Sequence, residues 1–356
     1  MEAQRLKRIR EQLERKQLDG IVIASPFNRR YLTGFTGTAG FVAITNDQAL
    51  LVTDFRYTRQ ATEQAREYEV IQYTGKPFEL IREKLDAAGA RKLGFEKNHV
   101  TLAGYEAYEE SFNGLELVPT QNIVEQLRGI KDEREQGFIR KAIDITEKAF
   151  EHILGFMKPG LSEKDVSAEL EYFMRKNGAT SSAYATIVAS GLRSALPHGL
   201  ASDKLLGTNE FVTLDFGASY EGYCSDLTRT VFIGKPEQRH KEIYKIVLEA
   251  NETTLNGLKP GMTGKEGDSL GRDCIAGYGY GEYFGHGLGH AFGLEIHEWM
   301  GFSQKSDDVL QPGMILTVEP GIYIPDFGGV RIEDDILITD TGIEVLTKSN
   351  KELIVL

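Results

Sequence analysis

Short apolar runs alternate with amphipathic stretches over the first 120 residues or so. Glu2 to Gln17 spaces its apolar residues as a helix with one buried face. Gly20-Ile-Val-Ile-Ala24, Phe41-Val-Ala-Ile-Thr45 and Ala49-Leu-Leu-Val-Thr53 have the length and apolar content of strands. Asn46-Asp47-Gln48 predicts a hairpin turn between the last two. Thr58 to Glu67 and Pro77 to Ala88 return to helical spacing. Together they predict an α/β domain on a small mixed sheet. Gly34, Gly37 and Gly40 lead into a strand and lack the Gly-Lys-Ser/Thr of a phosphate loop, so they predict a structural turn.

The pattern then becomes helical from about 121, with a long stretch from Glu133 to Phe156 that Pro159-Gly160 terminates. A domain boundary is expected between 125 and 132, giving domains 1–127 and 128–356. A second Lys-Pro-Gly at 259–261 closes another helical stretch, Lys241 to Leu258. This echo of Lys141 to Phe156, about a hundred residues on, predicts an internal duplication of the C-terminal domain.

Two pairs of strand-like runs carry carboxylates among apolar residues. Phe211-Val-Thr-Leu-Asp-Phe-Gly217 and Tyr223-Cys-Ser-Asp-Leu-Thr-Arg-Thr-Val-Phe232 flank a tight connection at Ser219–Gly222. A turn centred between Tyr220 and Glu221 sets Asp215 opposite Asp226. Met314 to Glu319 and Val330 to Ile338 flank Pro325–Gly329, and a turn centred near Asp326 sets Glu319 opposite Glu333. Like charges facing across a ladder are destabilising unless a cation lies between them. Four such carboxylates, with one or two imidazoles, can hold two divalent ions. Oxygen-rich ligation suits Mn(II), with Co(II) or Zn(II) as alternatives.

Four of the seven histidines, His198, His286, His290 and His297, fall in the same C-terminal region. His286-Gly-Leu-Gly-His290 is unlike the helical HExxH motif; its glycines predict backbone crowded against a site. Phe292 to Ile296 reads as strand-like before His297-Glu298. His99, His152 and His240 are expected at the surface.

Composition narrows the partners. A formal net charge of -12 disfavours nucleic acid and anionic membrane, which need clustered Lys and Arg. The charged N-terminus lacks the apolar core of a signal peptide, and no apolar run of about 18 residues predicts a membrane span. Cys224 and Cys274 are the only cysteines and have neither disulfide-scaffold nor zinc-ligand spacing. A cytoplasmic protein with free thiols is expected.

The segments Thr186-Ile-Val-Ala-Ser-Gly191, Ser194-Ala-Leu-Pro-His-Gly199, Thr213-Leu-Asp-Phe-Gly217, Ser225-Asp-Leu-Thr-Arg-Thr230, His286-x-x-x-His290, Val318-Glu-Pro-Gly-Ile-Tyr323 and Gly329-Val-Arg-Ile-Glu-Asp334 resemble the Xaa-Pro peptidases, aminopeptidase P and prolidase. Asn28 to Gly40 is similar to the creatinase-type N-terminal domain, so the resemblance spans nearly the whole chain. It implies a creatinase-like α/β domain followed by a pita-bread domain with antiparallel sheet. It also implies that Asp215, Asp226, His290, Glu319 and Glu333 are the five ligands of two metal ions. Asp226 and Glu333 would bridge them, Asp215 would hold one, and His290 and Glu319 the other. His198, His286 and His297 match the family's substrate-contacting and supporting histidines, and Arg331 the arginine beside the last ligand. The implied chemistry is hydrolysis of the bond before proline, with His297 or His198 steadying the oxyanion and Glu319 relaying a proton. A homodimer is also implied.

The chain departs from the pattern at Ala291, where the family usually has Gly, and at Met300-Gly301, where some prolidases carry Pro-Arg. Losing that arginine removes a bidentate grip on a dipeptide's carboxylate. This favours aminopeptidase P-like action on longer short peptides over a strict dipeptidase, unless Lys305 supplies the charge. Creatinase and methionine aminopeptidase fit less well, because the ligand set and the N-terminal domain are both complete. A non-enzymatic peptide-binding module on this scaffold is disfavoured by the same ligand set.

Overall fold

The structure is a computed structural model describing residues 1–356. It divides into two compact units, Met1–Arg128 and Gly129–Leu356. No helix is long and apolar enough to cross a membrane.

The first unit is a six-stranded mixed sheet flanked by helices. Its strands are β1 (Gly20–Ile23), β2 (Phe41–Thr45), β3 (Ala49–Thr53), β4 (Glu69–Gln72), β5 (Lys92–Glu96) and β6 (Glu116–Thr120), in the order β4-β3-β2-β1-β5-β6. β1, β2 and β3 pair antiparallel and the outer pairs run parallel. Its helices are α1 (Glu2–Arg15), α2 (Pro26–Thr33), α3 (Thr58–Gln64), α4 (Pro77–Ala87), α5 (Leu102–Ser111) and α6 (Ile123–Gly129), which runs to the unit boundary. The helix of α2 begins where Ser25 accepts from the Asn28 N–H and Pro26 occupies the first turn. Gly34 ends it at φ 73, a conformation open to glycine. The buried Arg29 guanidinium then donates to the carbonyls of Gly37 and Gly40, at 2.8 and 2.7 Å. The glycine stretch is therefore a turn folded round an arginine, as its entry into β2 predicts.

The second unit is built twice over. α7 (Glu133–Phe156) and α8 (Glu163–Lys176) are joined through Lys158-Pro159-Gly160, and α9 (Gln238–Gly257) and α10 (Gly264–Gly277) through Lys259-Pro260-Gly261. Ser162 with Asp165, and Thr263 with Glu266, form matching capping boxes at α8 and α10. The backbone repeats as well: Gly160 N–H donates to Leu206 O and Gly261 N–H to Leu310 O, both at 2.9 Å. Isolated bridges Ser162–Leu205 and Thr263–Val309 complete the correspondence. The two Lys-Pro-Gly signals thus mark one structural duplication.

Each half presents an antiparallel set of strands to its helices. In the first half, β7 (Ser181–Ser182), β8 (Ile187–Ser190), β9 (Glu210–Phe216), β10 (Ala218–Tyr220), β11 (Tyr223–Cys224) and β12 (Leu227–Ile233) form two three-stranded sheets. The second holds β13 (Gly289–His290), β14 (Gly301–Phe302), β15 (Ile315–Val318), β16 (Gly321–Ile324), β17 (Gly328–Arg331), β18 (Asp334–Ile338) and β19 (Ile343–Val345). Two apolar clusters fill the unit. One packs α7 and α8 on β8, β9 and β12, and the other packs α9 and α10 on β15 to β18.

Two expectations need correction. The first carboxylate hairpin is longer by one step than expected: Asp215 lies opposite Thr228, not Asp226. The turn is the two-residue Glu221-Gly222, with φ of 48 and 76, flanked by the pair Tyr220–Tyr223. Such a turn suits the twist of a hairpin better than the four-residue connection that the sequence suggests. The strands also break before Ala218, whose N–H is taken by the hydroxyls of Thr146 and Ser225. Second, Phe292 to Ile296 is a loop, because Gly293 and the inward-turned Glu298 carboxylate, which accepts the Leu294 N–H, curl the chain. Of the histidines outside the cluster, His240 is half-buried and stacks on Phe327.

Candidate metal centre

The second carboxylate hairpin has the expected register. Val318 pairs with Asp334 and Gly321 with Arg331, so Glu319 and Glu333 occupy facing positions between those ladders. In the first hairpin the slip is by two residues, which leaves both side chains on the same face. Asp215, Asp226 and Glu333 place ligand oxygens within 4.8 Å of one another. The ring Nε2 of His290 lies 3.5 Å from both Asp226 Oδ2 and Glu319 Oε1.

All nine residues singled out from the sequence line one cavity of about 780 Å³: Asp215, Asp226, His290, Glu319, Glu333, His198, His286, His297 and Arg331. Tyr184, which sequence reasoning missed, lines it too. Its hydroxyl contacts Asp215 Oδ1 at 2.6 Å and also reaches Asp226 Oδ1. Its one signal was a lone polar ring just before Thr186-Ile-Val-Ala, without periodicity to mark it.

Burial sets the charge states. Desolvation first, then Asp215, Asp335 and Glu319, raises the Asp226 carboxyl well above its ordinary range. Desolvation, then Asp226, Glu319 and Asp215, does the same to Glu333. Glu319 is raised by burial, with His286 and Arg331 opposing. The imidazoles of His286, His290 and His297 are pushed down, chiefly by desolvation, toward the neutral form.

Hydrogen bonds fix the tautomers. His286 Nδ1 contacts the Gly287 carbonyl at 2.7 Å, and a carbonyl only accepts. Nδ1 therefore carries the proton, and Nε2 accepts from the Tyr323 hydroxyl at 2.8 Å. Tyr323 in turn accepts from Arg331 Nη1 at 2.8 Å. Arg331 also grips Asp215 and donates through Nε to Thr228 Oγ1 at 3.1 Å, while that hydroxyl donates to Glu333 Oε2 at 2.6 Å. His290 Nδ1 faces the Ala291 carbonyl, so its Nε2 presents a lone pair to two carboxylates.

This arrangement fits divalent cations. The lone pair of His290 Nε2 faces oxygens of Asp226 and Glu319, and the buried Glu333 Oε1 has no hydrogen-bond partner. The donor set is rich in hard oxygen with one imidazole, and each candidate ligand is itself held by a neighbour, as a metal site requires. The glycines around His290 are needed for the approach: a Cβ on Gly289 would lie 2.0 Å from Thr317 O.

Of the departures, Ala291 is buried and its N–H donates to Met300 O at 2.8 Å. Met300 takes φ 126, an unusual value for a residue with a side chain. Lys305 is exposed and does not line the cavity, where Arg331 is the only Lys or Arg.

A duplicated antiparallel domain carrying carboxylates and histidines in one cavity is the framework of a metal-dependent hydrolase. Residues 137–340 match the family model "Metallopeptidase family M24", and residues 5–130 match "Creatinase/Prolidase N-terminal domain". The chain is 51% identical over 352 residues to an uncharacterized peptidase, YqhT, of Bacillus subtilis, covering 99% of this chain and all of that one. It is 43% identical over 353 residues to an Xaa-Pro dipeptidase of Pyrococcus horikoshii, covering 99% of each. Among solved structures it is similar to an Xaa-Pro dipeptidase from Bacillus anthracis, at 53% identity, a TM-score of 0.98 and full coverage of both chains. The chain belongs to metallopeptidase family M24, with a creatinase/prolidase N-terminal domain.

Proposed function

We propose that this metallopeptidase hydrolyses the bond before proline at the N-terminus of short peptides. The cluster of Asp215, Asp226, Glu333, Glu319 and His290 supports it, together with relatives named Xaa-Pro dipeptidases across the full chain length. These five residues would hold two divalent ions, with Mn(II) first on donor hardness. When bound, the ions activate water and polarise the scissile carbonyl.

The protein's own groups do the rest. Arg331 and Tyr184 orient Asp215, and Thr228 orients Glu333. His297 and His198 face the cavity and donate to the oxyanion of the tetrahedral intermediate. Glu319, whose carboxyl is raised by burial, takes the proton from the attacking water and passes it to the departing proline nitrogen. His286 is neutral and acts through Tyr323 on Arg331. The two free thiols suit a reducing cytoplasm, and the family resemblance supports a homodimer.

Dipeptides are the first substrates to test, from the relatives' names. Longer peptides are a second reading, favoured by one observation: Arg331, the cavity's only cation among Lys and Arg, is already engaged by Asp215, Thr228 and Tyr323. A dipeptide's carboxylate meets no free cation there. The test is cleavage of Xaa-Pro dipeptides and Xaa-Pro-Yaa tripeptides by Mn(II)-loaded protein, beside a chelated control. Faster dipeptide cleavage makes this a prolidase, and faster tripeptide cleavage an aminopeptidase. Absence of metal-dependent cleavage of either overturns the reading.

A further inference from the structure

Outside the cavity lies a buried ion pair that the catalytic reading does not use. Lys131 Nζ sits 3.0 Å from Glu298 Oε2, with side chains 1% and 3% exposed. Lys131 is in the short link between α6 and α7 and is pinned at both backbone groups. Its N–H donates to Gly313 O at 2.9 Å, and its carbonyl accepts from Gln136 Nε2 at 3.0 Å. The ammonium therefore projects from a fixed point.

Glu298 fills the inside of the loop 291–300. Its Oε1 accepts the Leu294 N–H at 3.1 Å, and a Cβ on Gly293 would come within 2.9 Å of that oxygen. Its own N–H donates to Ala291 O at 2.8 Å, and the Ala291 N–H closes the neck on Met300 O. Met300, at φ 126, is held in a conformation its side chain disfavours, so the surroundings rather than local preference set this loop. His297 immediately precedes Glu298, and its ring packs edge-on to His290 with centroids 4.4 Å apart.

We propose that Lys131 is a positioning residue that acts through Glu298 to hold His297 beside the metal ligands. A carboxylate taken out of water needs a partnered cation to stay there. With Lys131 replaced by an uncharged side chain, the Glu298 carboxylate is expected to turn toward solvent, the cap on Leu294 to be lost, and His297 to leave its place against His290. The kinetic side of this inference rests on the peptidase reading above. The loop's position does not, and it has its own reporter. Trp299 is the only tryptophan in the chain, and its ring lies 3.5 Å from where a Cβ on Gly129 would be.

The test compares the full chain with Lys131→Met, His297→Ala and the double variant. Mn(II)-loaded proteins are assayed on an Xaa-Pro dipeptide and tripeptide, and metal-free proteins by acrylamide quenching of Trp299. Lys131→Met is expected to lower kcat by about 10- to 100-fold, the usual cost of losing a supporting contact, with KM within about threefold. In the His297→Ala background the same substitution is expected to change kcat by less than about twofold, because the two act as a unit. Quenching of Trp299 is expected to rise by about half or more as the loop loosens. Equal losses in both backgrounds, or unchanged quenching, would overturn the proposal. If the parent cleaves neither peptide the peptidase reading fails, and quenching alone decides whether Lys131 holds the loop. If Lys131→Met does not fold, Glu298→Gln removes the charge from the other side with the same shape and is read in the same two assays.

Discussion

At the scale of single residues, proton count explains the centre. The Tyr184 hydroxyl has one hydrogen yet touches a carboxylate oxygen of both Asp215 and Asp226. Both contacts are hydrogen bonds only when one of the two carboxyls carries a proton, and Asp226 is the more buried of the two. Burial and the neighbouring carboxylates favour the proton on Asp226. A bound cation would replace this proton, leaving Tyr184 to orient the ligands. Tyr184→Phe is therefore expected to weaken Mn(II) binding by about 10- to 100-fold, as losses of outer partners do. Calorimetric titration of chelated protein measures it, and unchanged affinity would make the tyrosine a spectator. The clustered carboxylates were legible because charged residues stand out in apolar strands. Tyr184 was not, because an aromatic residue before a strand reads as packing. Lys131 and Glu298 are 167 positions apart, and no local pattern links them.

At the scale of elements, the two carboxylate hairpins show what sequence arithmetic carries. Pro325 to Gly329 is an unmistakable turn, so the position of Glu319 opposite Glu333 followed from counting. In the first hairpin, Ser219 to Gly222 permits several turns, and the observed one at Glu221-Gly222 moves the register by two. The error left the face of the carboxylates intact because side chains alternate with period two. The Phe292 to Ile296 run failed differently. Its apolar composition indicated a strand, but a buried Glu298 carboxylate folded it into a loop. Close backbone approach was legible in His286-Gly-Leu-Gly-His290, and it gives a prediction. Gly289→Ala would drive a Cβ to 2.0 Å from Thr317 O, between β13 and β15. It is expected to cost about 3 kcal/mol, the upper end for overpacking, since backbone on both sides must move. Gly285→Ala, with no atom within 4 Å of its Cβ, is expected to change stability by less than about 0.5 kcal/mol. Urea unfolding of the pair checks this, and equal midpoints would refute the crowding argument.

At the scale of the molecule, the duplication explains why the centre is both costly and useful. Each half supplies one carboxylate hairpin, and the cavity gathers Asp215 and Asp226 from the first with Glu319 and Glu333 from the second. Burial first, and then repulsion among the neighbouring carboxylates, raises the carboxyls of Asp226, Glu333 and Glu319 in the folded protein, so that without a cation they favour the protonated form. Groups raised on folding bind protons more tightly in the folded state. The stability they lend is complete below the unfolded value near pH 4, and it is lost as pH rises through their folded values. Metal binding has the opposite dependence, because these ligands must be deprotonated to accept a cation. The gain in melting temperature on adding Mn(II) to chelated protein is thus expected to be small near pH 4.5 and to grow steadily toward pH 7.5. Taking the difference between loaded and metal-free protein at each pH cancels the titration of carboxylates elsewhere, such as those of Asp144 and Glu344, which are lowered by lysine or arginine partners and shift stability in the other direction. Glu333→Gln removes one of the raised carboxyls, so it should make the metal-free protein less sensitive to pH and shrink the Mn(II) gain together. A gain that is flat across this range, or that survives in Glu333→Gln, would mean that the ion binds somewhere other than this cluster.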